Sequence, residues 1–382
     1  MAHWMATEAV GGILPVCILE FRKAPQACLE SPPAAFPYPR TSRAQEDDMG
    51  RSYAAYLSSL LLFGSNGIVA AMIALPSLDI VVARTFLGAS LLGALLLGAS
   101  LVARRAKRRE GGHPAAAQSP DRNIAAIALL ACSGAALGAS WIVLFEAYRL
   151  VGVGTASLMY YCGPVIVMAL APLLFKERLG LKKIVGFAAV ALGAVLVSVQ
   201  ALDGGQDPQG LALGAVSAIA YAVMIVCSKK ATAVCPAAAD RGLRNSFIQL
   251  LAGFAVAAAY SALTQGAGAL LIPATPADIA PLLMLGLVNT GIGCLLYFSS
   301  IGRLPVQTVA VCGYLEPLSA VVLATLILGE PMRAVQLAGA ALIVGGAAFC
   351  ELAGARTGRP LKLPALSEPL QTIASNPEPT IR

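Results

Sequence analysis

The sequence predicts an all-α polytopic membrane protein: ten transmembrane helices in two five-helix repeats of inverted topology, with both termini cytoplasmic. Three observations predict it. Of 382 residues, 58% are hydrophobic and only 12% charged, whereas soluble domains average about 25% charged residues. The apolar residues gather in blocks of roughly 20, the length that crosses a hydrocarbon core. The second half of the chain also matches the first at a constant offset of 153 residues. Disorder, a collagen-like fibre and a disulfide scaffold are excluded by this composition.

Residues 1–48 stand apart, rich in Pro and Ala and closed by Glu46, Asp47 and Asp48. Their apolar stretch, Ala9 to Leu19, is too short to span and lacks the basic flank of a signal peptide. Two readings stay open: a disordered extension, or sequence upstream of a start at Met49. Spans are then expected over 53–75, 79–103, 124–149, 152–175 and 182–202, the first repeat (53–202). The second repeat (209–353) holds 209–230, 245–265, 278–302, 305–328 and 334–353, followed by a disordered cytoplasmic tail, 354–382. Each block is long enough, at about 1.5 Å per residue, to cross about 30 Å of hydrocarbon.

Charge sets the orientation. With the first span starting inside, the inner segments hold Arg51, the run Arg104 to Arg109, Arg122, Lys176, Arg178, Lys182, Lys183, Lys229, Lys230, Arg241, Arg244 and Arg303. The outer segments 76–78, 203–208 and 266–277 hold no basic residue, with Arg149 and Arg333 as isolated exceptions. This is the positive-inside pattern. It also accounts for the net charge of +7 without nucleic acid. The nine cysteines include no CxxC pair, and those within spans read as small hydrophobes. Only His3 and His113 occur, both outside the spans, so no metal site or histidine-based catalysis is expected in the membrane. No phosphate-binding GxxxxGK[ST] loop is present. No cofactor is expected.

At the offset of 153, Tyr161 meets Tyr314, Pro164 meets Pro317, Glu177 meets Glu330, Gly186 meets Gly339 and Gly193 meets Gly346. Val153 with Val306 and Thr155 with Thr308 extend the register. Five spans per repeat make the second copy enter the membrane from the opposite side. That architecture places a substrate near the midplane, between two halves that rock.

The segment YCGPVIVMALAPLLFKERL, with Gly186 and Gly193, and its partner YLEPLSAVVLATLILGEP, with Gly339 and Gly346, resemble the paired EamA modules of the drug/metabolite transporter superfamily. The resemblance covers residues 53–353. It implies a ten-helix secondary transporter of a bacterial cytoplasmic membrane, usually exporting amino acids or related metabolites. The family's glycine–glutamate pair is intact at Gly329–Glu330 and reads Lys176–Glu177 in the first repeat.

Glu316 is the leading candidate for chemistry. It lies about ten residues beyond Val306, hence on the order of 15 Å into its span, where an acid either faces a wet cavity or titrates and so suits proton coupling. The plainer reading is a neutral acid bonded to backbone freed by Pro317. Pro164 and Pro317 remove donors to the carbonyls of Tyr160 and Gly313, predicting kinks at matching depth. Asn66, in Gly64–Ser65–Asn66–Gly67, and Asn289 read either as substrate-facing amides or as interhelical hydrogen-bonding groups. Tyr161, Tyr221 and Tyr314 are the deep aromatics expected at a cavity. Tyr160, Tyr297 and Trp141 are expected in interfacial belts. Arg84 and Glu146 are candidates for a paired outer gate, against a Glu146–Arg149 pair on one helix or an Arg84 that snorkels.

The expected partners are a small-molecule substrate and the lipid bilayer. Protons and a homodimeric assembly stay open. A facilitative exchanger and a carrier of lipid-linked cargo are rivals with the same fold. Rivals of another class are a passive partner subunit and an intramembrane enzyme, although no GxSxG elbow is present.

Overall fold

Apolar blocks of this length have one way to satisfy their backbone in lipid, the intrahelical hydrogen bond. The computed structural model describes residues 42–110, 120–163, 165–167, 181–235, 242–266, 275–300, 312–330 and 332–357, and none of these forms a strand. The helices are α1 Ser42–Gly64, α2 Asn66–Ala71, α3 Ser77–Glu110, α4 Pro120–Val151, α5 Val153–Tyr160, α6 Leu181–Asp203, α7 Pro208–Val234 and α8 Gly242–Gln265. Then come α9 Pro276–Leu283, a π-helical segment Met284–Ile292, α10 Gly293–Ser300, α11 Leu315–Ile327 and α12 Ala334–Thr357.

Among the described residues, six segments are long and apolar enough to cross a membrane: Gly50–Ala71, Ser77–Val102, Ile124–Val151, Pro208–Ala231, Gly242–Gln265 and Pro276–Ser300. Shorter apolar helices, Val153–Val167, Ile184–Val199, Leu315–Ile327 and Ala334–Gly346, fall within the four other expected spans. The chain is a multi-pass membrane protein.

Helix ends follow local chemistry. α7 opens on Pro208, whose missing N–H costs nothing at a helix start, and Asp207 Oδ1 accepts from Gln209 N at 2.8 Å. Where α9 begins, Asp278 Oδ1 accepts from Ala74 N and Oδ2 from Thr275 Oγ1, both at 2.8 Å. That carboxylate therefore ties the α2–α3 connection to α9.

Elements that correspond at the offset of 153 pack on each other crosswise. In the α6–α12 contact, a Cβ on Gly193 would lie 2.6 Å from the Gly339 carbonyl oxygen, and one on Gly346 would lie 3.0 Å from that of Gly186. Gly186 corresponds to Gly339 and Gly193 to Gly346, so each glycine meets the counterpart of the other. A twofold axis relating two copies produces this exchange. Other pairings follow suit: α4 packs on α7 as α10 packs on α1, α5 on α7 as α11 on α1, and α8 on α4 as α3 on the π-helical segment.

Cys162, Cys294 and Cys312 are free thiols, as expected of cysteines within apolar spans. Cys132 departs from that expectation and is disulfide-bonded.

Candidate functional site

Three helices are interrupted near one point. Gly64–Ser65–Asn66–Gly67 breaks the first apolar span between α1 and α2 at Ser65. α5 ends at Tyr160, and the chain turns at Tyr161 and Cys162 before helix resumes at Gly163. In the second repeat the turn falls at Tyr314, and α11 starts at Leu315. This revises the expected role of Pro317. It lies in the first turn of a new helix, where a missing donor is harmless, and does not kink a continuous one. Pro164, expected to kink the first copy, lies outside the described residues, as do Lys176 and Glu177.

The break puts Glu316 in the first turn of α11. The unpaired backbone N–H groups and the positive end of the helix dipole are there, and both favour a carboxylate. The side chain is half-buried and lines a cavity. That cavity, with about 660 Å³ of empty space including its mouth, is enclosed by residues of both repeats.

Of the residues singled out from sequence, Asn66, Tyr161, Tyr221 and Glu316 line it together. The Tyr161 and Glu316 side chains hydrogen-bond each other. Asn289 and Tyr314 do not line it. Asn289 is buried behind the wall and its Nδ2 donates to Leu62 O at 2.9 Å, Ser65 Oγ at 2.9 Å and Asn66 Oδ1 at 3.2 Å. It therefore holds the first break and orients Asn66, the interhelical alternative for its role. Tyr314 is buried in a separate apolar cluster with Leu158, Val190, Val197 and Ile343.

The aromatics assigned to interfacial belts are in the cavity wall instead: Trp141, Tyr160 and Tyr297 all line it. Tyr160 stacks on Tyr221 with centroids 4.5 Å apart, and Tyr161 meets Tyr160 edge-on at 5.2 Å. Distance from a helix end misjudged them, because broken and tilted helices bring residues near an end in sequence to the centre of the bundle. A usable signal existed for a further group: Asn289–Thr290–Gly291 is a polar interruption in an apolar block, eight residues after Pro281. There the helix widens into the π-helical segment, a local form often found at functional sites.

Arg84 and Glu146 do not pair. Glu146 bonds Arg149 on its own helix. Arg84 is fully buried, donates from Nε to Thr290 Oγ1 at 2.9 Å, and lies over Trp141 at 4.2 Å and Phe145 at 4.8 Å. It neither snorkels nor closes an outer gate with Glu146, since the aromatic rings and the threonine hydroxyl hold it inside the bundle.

Glu330, the acid of the Gly329–Glu330 pair, crosses between repeats. Its carboxylate accepts from Val153 N at 2.8 Å and Gly154 N at 3.0 Å, capping α5. Gly152 supplies the approach: its φ is +76°, and a Cβ there would lie 2.9 Å from a Glu330 carboxylate oxygen. Among the described residues, no cluster of three or more His, Cys, Asp or Glu could hold a metal.

The model of the EamA-like transporter family matches the chain twice, over residues 51–199 and 208–351. The chain is 24% identical over 225 residues to an uncharacterized transporter, YxxF, of Bacillus subtilis, a match covering 58% of this chain and 68% of that one. It is 32% identical over 200 residues to a probable amino-acid metabolite efflux pump of Salmonella typhimurium, covering 50% of this chain and 65% of the pump. A solved structure described only as the crystal structure of a protein superposes with a TM-score of 0.50 at 18% identity, covering 79% of this chain and 98% of that one, a likeness of fold alone. The chain belongs to the EamA-like transporter family and carries two EamA domains.

Proposed function

We propose that this EamA-family protein is a secondary active transporter of a bacterial cytoplasmic membrane that exports amino acids or related small metabolites. In this reading ten helices cross the bilayer as two inverted repeats, with both termini in the cytoplasm. Cargo occupies the cavity between the repeats, and the halves rock about it to alternate access. The observation that carries the reading is a cavity closed by both repeats, holding one acid at the start of a broken helix among stacked tyrosines.

Each feature has a role in it. Breaks at Ser65, Tyr161 and Tyr314 are points where helix halves pivot. The tyrosines enclose an organic cargo, and Asn66, braced by Asn289, offers it an amide. Glu316 takes up and gives back a proton as access changes, with Tyr161 as its hydrogen-bonding partner. Export is favoured over import by the Salmonella relative's description as an efflux pump.

The test is transport by purified protein in vesicles, with an amino-acid mixture inside and an imposed pH gradient. Gradient-dependent loss of one or more amino acids supports the reading, and the same flux in Glu316→Gln at every pH removes proton coupling. Flux that needs no gradient in the unmodified protein points to the facilitative exchanger.

A further inference from the structure

Arg84 is a fully buried charged side chain to which the transport reading gives no role. A guanidinium stays charged at neutral pH, and burying it is costly unless its donors are all used. Here they are not. The Nε–H goes to Thr290 Oγ1 at 2.9 Å. The Thr290 hydroxyl is itself held by donating to Leu285 O, five residues back, at 2.7 Å, a reach suited to π-helical winding. Trp141 and Phe145 occupy positions over the planar cation. Its remaining edge, Nη1 and Nη2, is buried and has no hydrogen-bond partner among the described residues.

The position of Arg84 points the same way. The rings it lies over line the cavity. Tyr148, Tyr160, Cys294 and Glu316, its titratable neighbours, line it too. Arg84 itself is fully buried and does not line the cavity, so its unused parallel donors sit just behind the cavity wall, and Glu316 does not occupy them. Two parallel N–H groups at a planar cation match the two oxygens of a carboxylate.

We infer that Arg84 is an anion-binding residue behind the cavity wall and takes a carboxylate of the cargo edge-on through Nη1 and Nη2 when the wall opens during the transport cycle. Thr290 is its positioning residue, setting the angle of the guanidinium from the π-helical segment. The inference rests on the transport reading and adds to it a group that the cargo must carry.

Trp141 provides the test. The chain has two tryptophans, Trp4 and Trp141, so W4F leaves one reporter, stacked on the guanidinium. Full-length W4F protein in lipid nanodiscs is titrated with leucine, 4-methylpentanoate and the carboxamide of each, following Trp141 emission. The acids are expected to change the emission saturably and to bind roughly tenfold or more tighter than their amides. In R84Q the preference for acids disappears; in T290V, which keeps the charge and loses its anchor, it narrows.

Equal titration by acid and amide, no response to either acid, or an R84Q protein that keeps the preference overturns the assignment. The acid–amide comparison needs no change at Arg84, so a misfolded variant does not decide the matter. Equal vesicle transport of acid and amide also overturns it and leaves the transporter standing. An acid preference at Trp141 in a protein that moves none of the probes keeps the anion site and removes the transport reading.

Discussion

Gly163 and Glu316 occupy the same register of the two repeats, just beyond matching helix breaks, and do opposite things. At Gly163 the absence of a side chain lets α7 close in: a Cβ there would lie 2.6 Å from Tyr221 Cδ1 and 2.9 Å from the Ala218 carbonyl oxygen. At Glu316 a side chain enters the cavity, and the neighbouring helix makes room instead, since a Cβ on Gly64 would lie 2.9 Å from the Glu316 carbonyl oxygen. One copy of the break is packed shut and the other carries an acid. The frame occurs twice and the acid once.

The strongest way to test that contrast is to disarm the second copy. Glu316→Gln is expected to abolish gradient-driven transport while leaving the thermal midpoint of the purified protein close to that of the parent. A variant that still transports with the parent's pH dependence would put the acid outside the mechanism. Opening the first copy comes next. Gly163→Ala forces Tyr221 and the Ala218 backbone apart and should cost about 1–3 kcal/mol, read as a lower midpoint in thermal denaturation. Gly345→Ala is its control, because a Cβ there meets nothing within 4 Å; in a helix it should stabilise by roughly 0.5–1 kcal/mol.

Asn289→Ala asks whether the first break needs its brace. It removes the donor shared by Leu62 O, Ser65 Oγ and the buried Asn66 Oδ1, a loss of about 1–3 kcal/mol, and should raise the KM for cargo more than it lowers the maximal rate. An unchanged KM would mean that Asn66 is oriented without it. Glu330→Ala removes the cap that the second repeat places on α5 and should cost about 0.5–2 kcal/mol, with Glu330→Gln recovering part of it in the same melting assay. Glu146→Ala is the smallest, about 0.5 kcal/mol or less for an exposed pair on one helix. Transport should be unaffected, and a clear loss would restore Glu146 to a gating role.

Much of this was legible in the chain. Composition and block length dictate membrane helices, because in lipid a chain must satisfy its own backbone. The offset of 153 and the run around Glu316 mark the repeat and its asymmetry. Depth along a span does not give position in the bundle: it predicts Trp141, Tyr160 and Tyr297 at the interface and Tyr314 at the cavity, whereas the first three line the cavity and Tyr314 does not. Breaks at Ser65, Tyr161 and Tyr314 re-aim the side chains beside them, so linear depth fails where the helices are interrupted. Arg84 departs from expectation for a related reason: a cation near a span end normally snorkels, and neighbours from other elements hold this one inside.

The sequence by itself determined the helices, the duplicated frame and the glycines through which α6 and α12 meet, because lipid leaves the backbone one solution and close packing needs small residues at fixed intervals. Tertiary structure alone decided which side chains share a cavity. Those meetings join Glu316 to Tyr161, Asn289 to Asn66, and Arg84 to Thr290 and Trp141. They depend on how broken helices from two repeats cross, and no periodicity within one helix encodes that crossing.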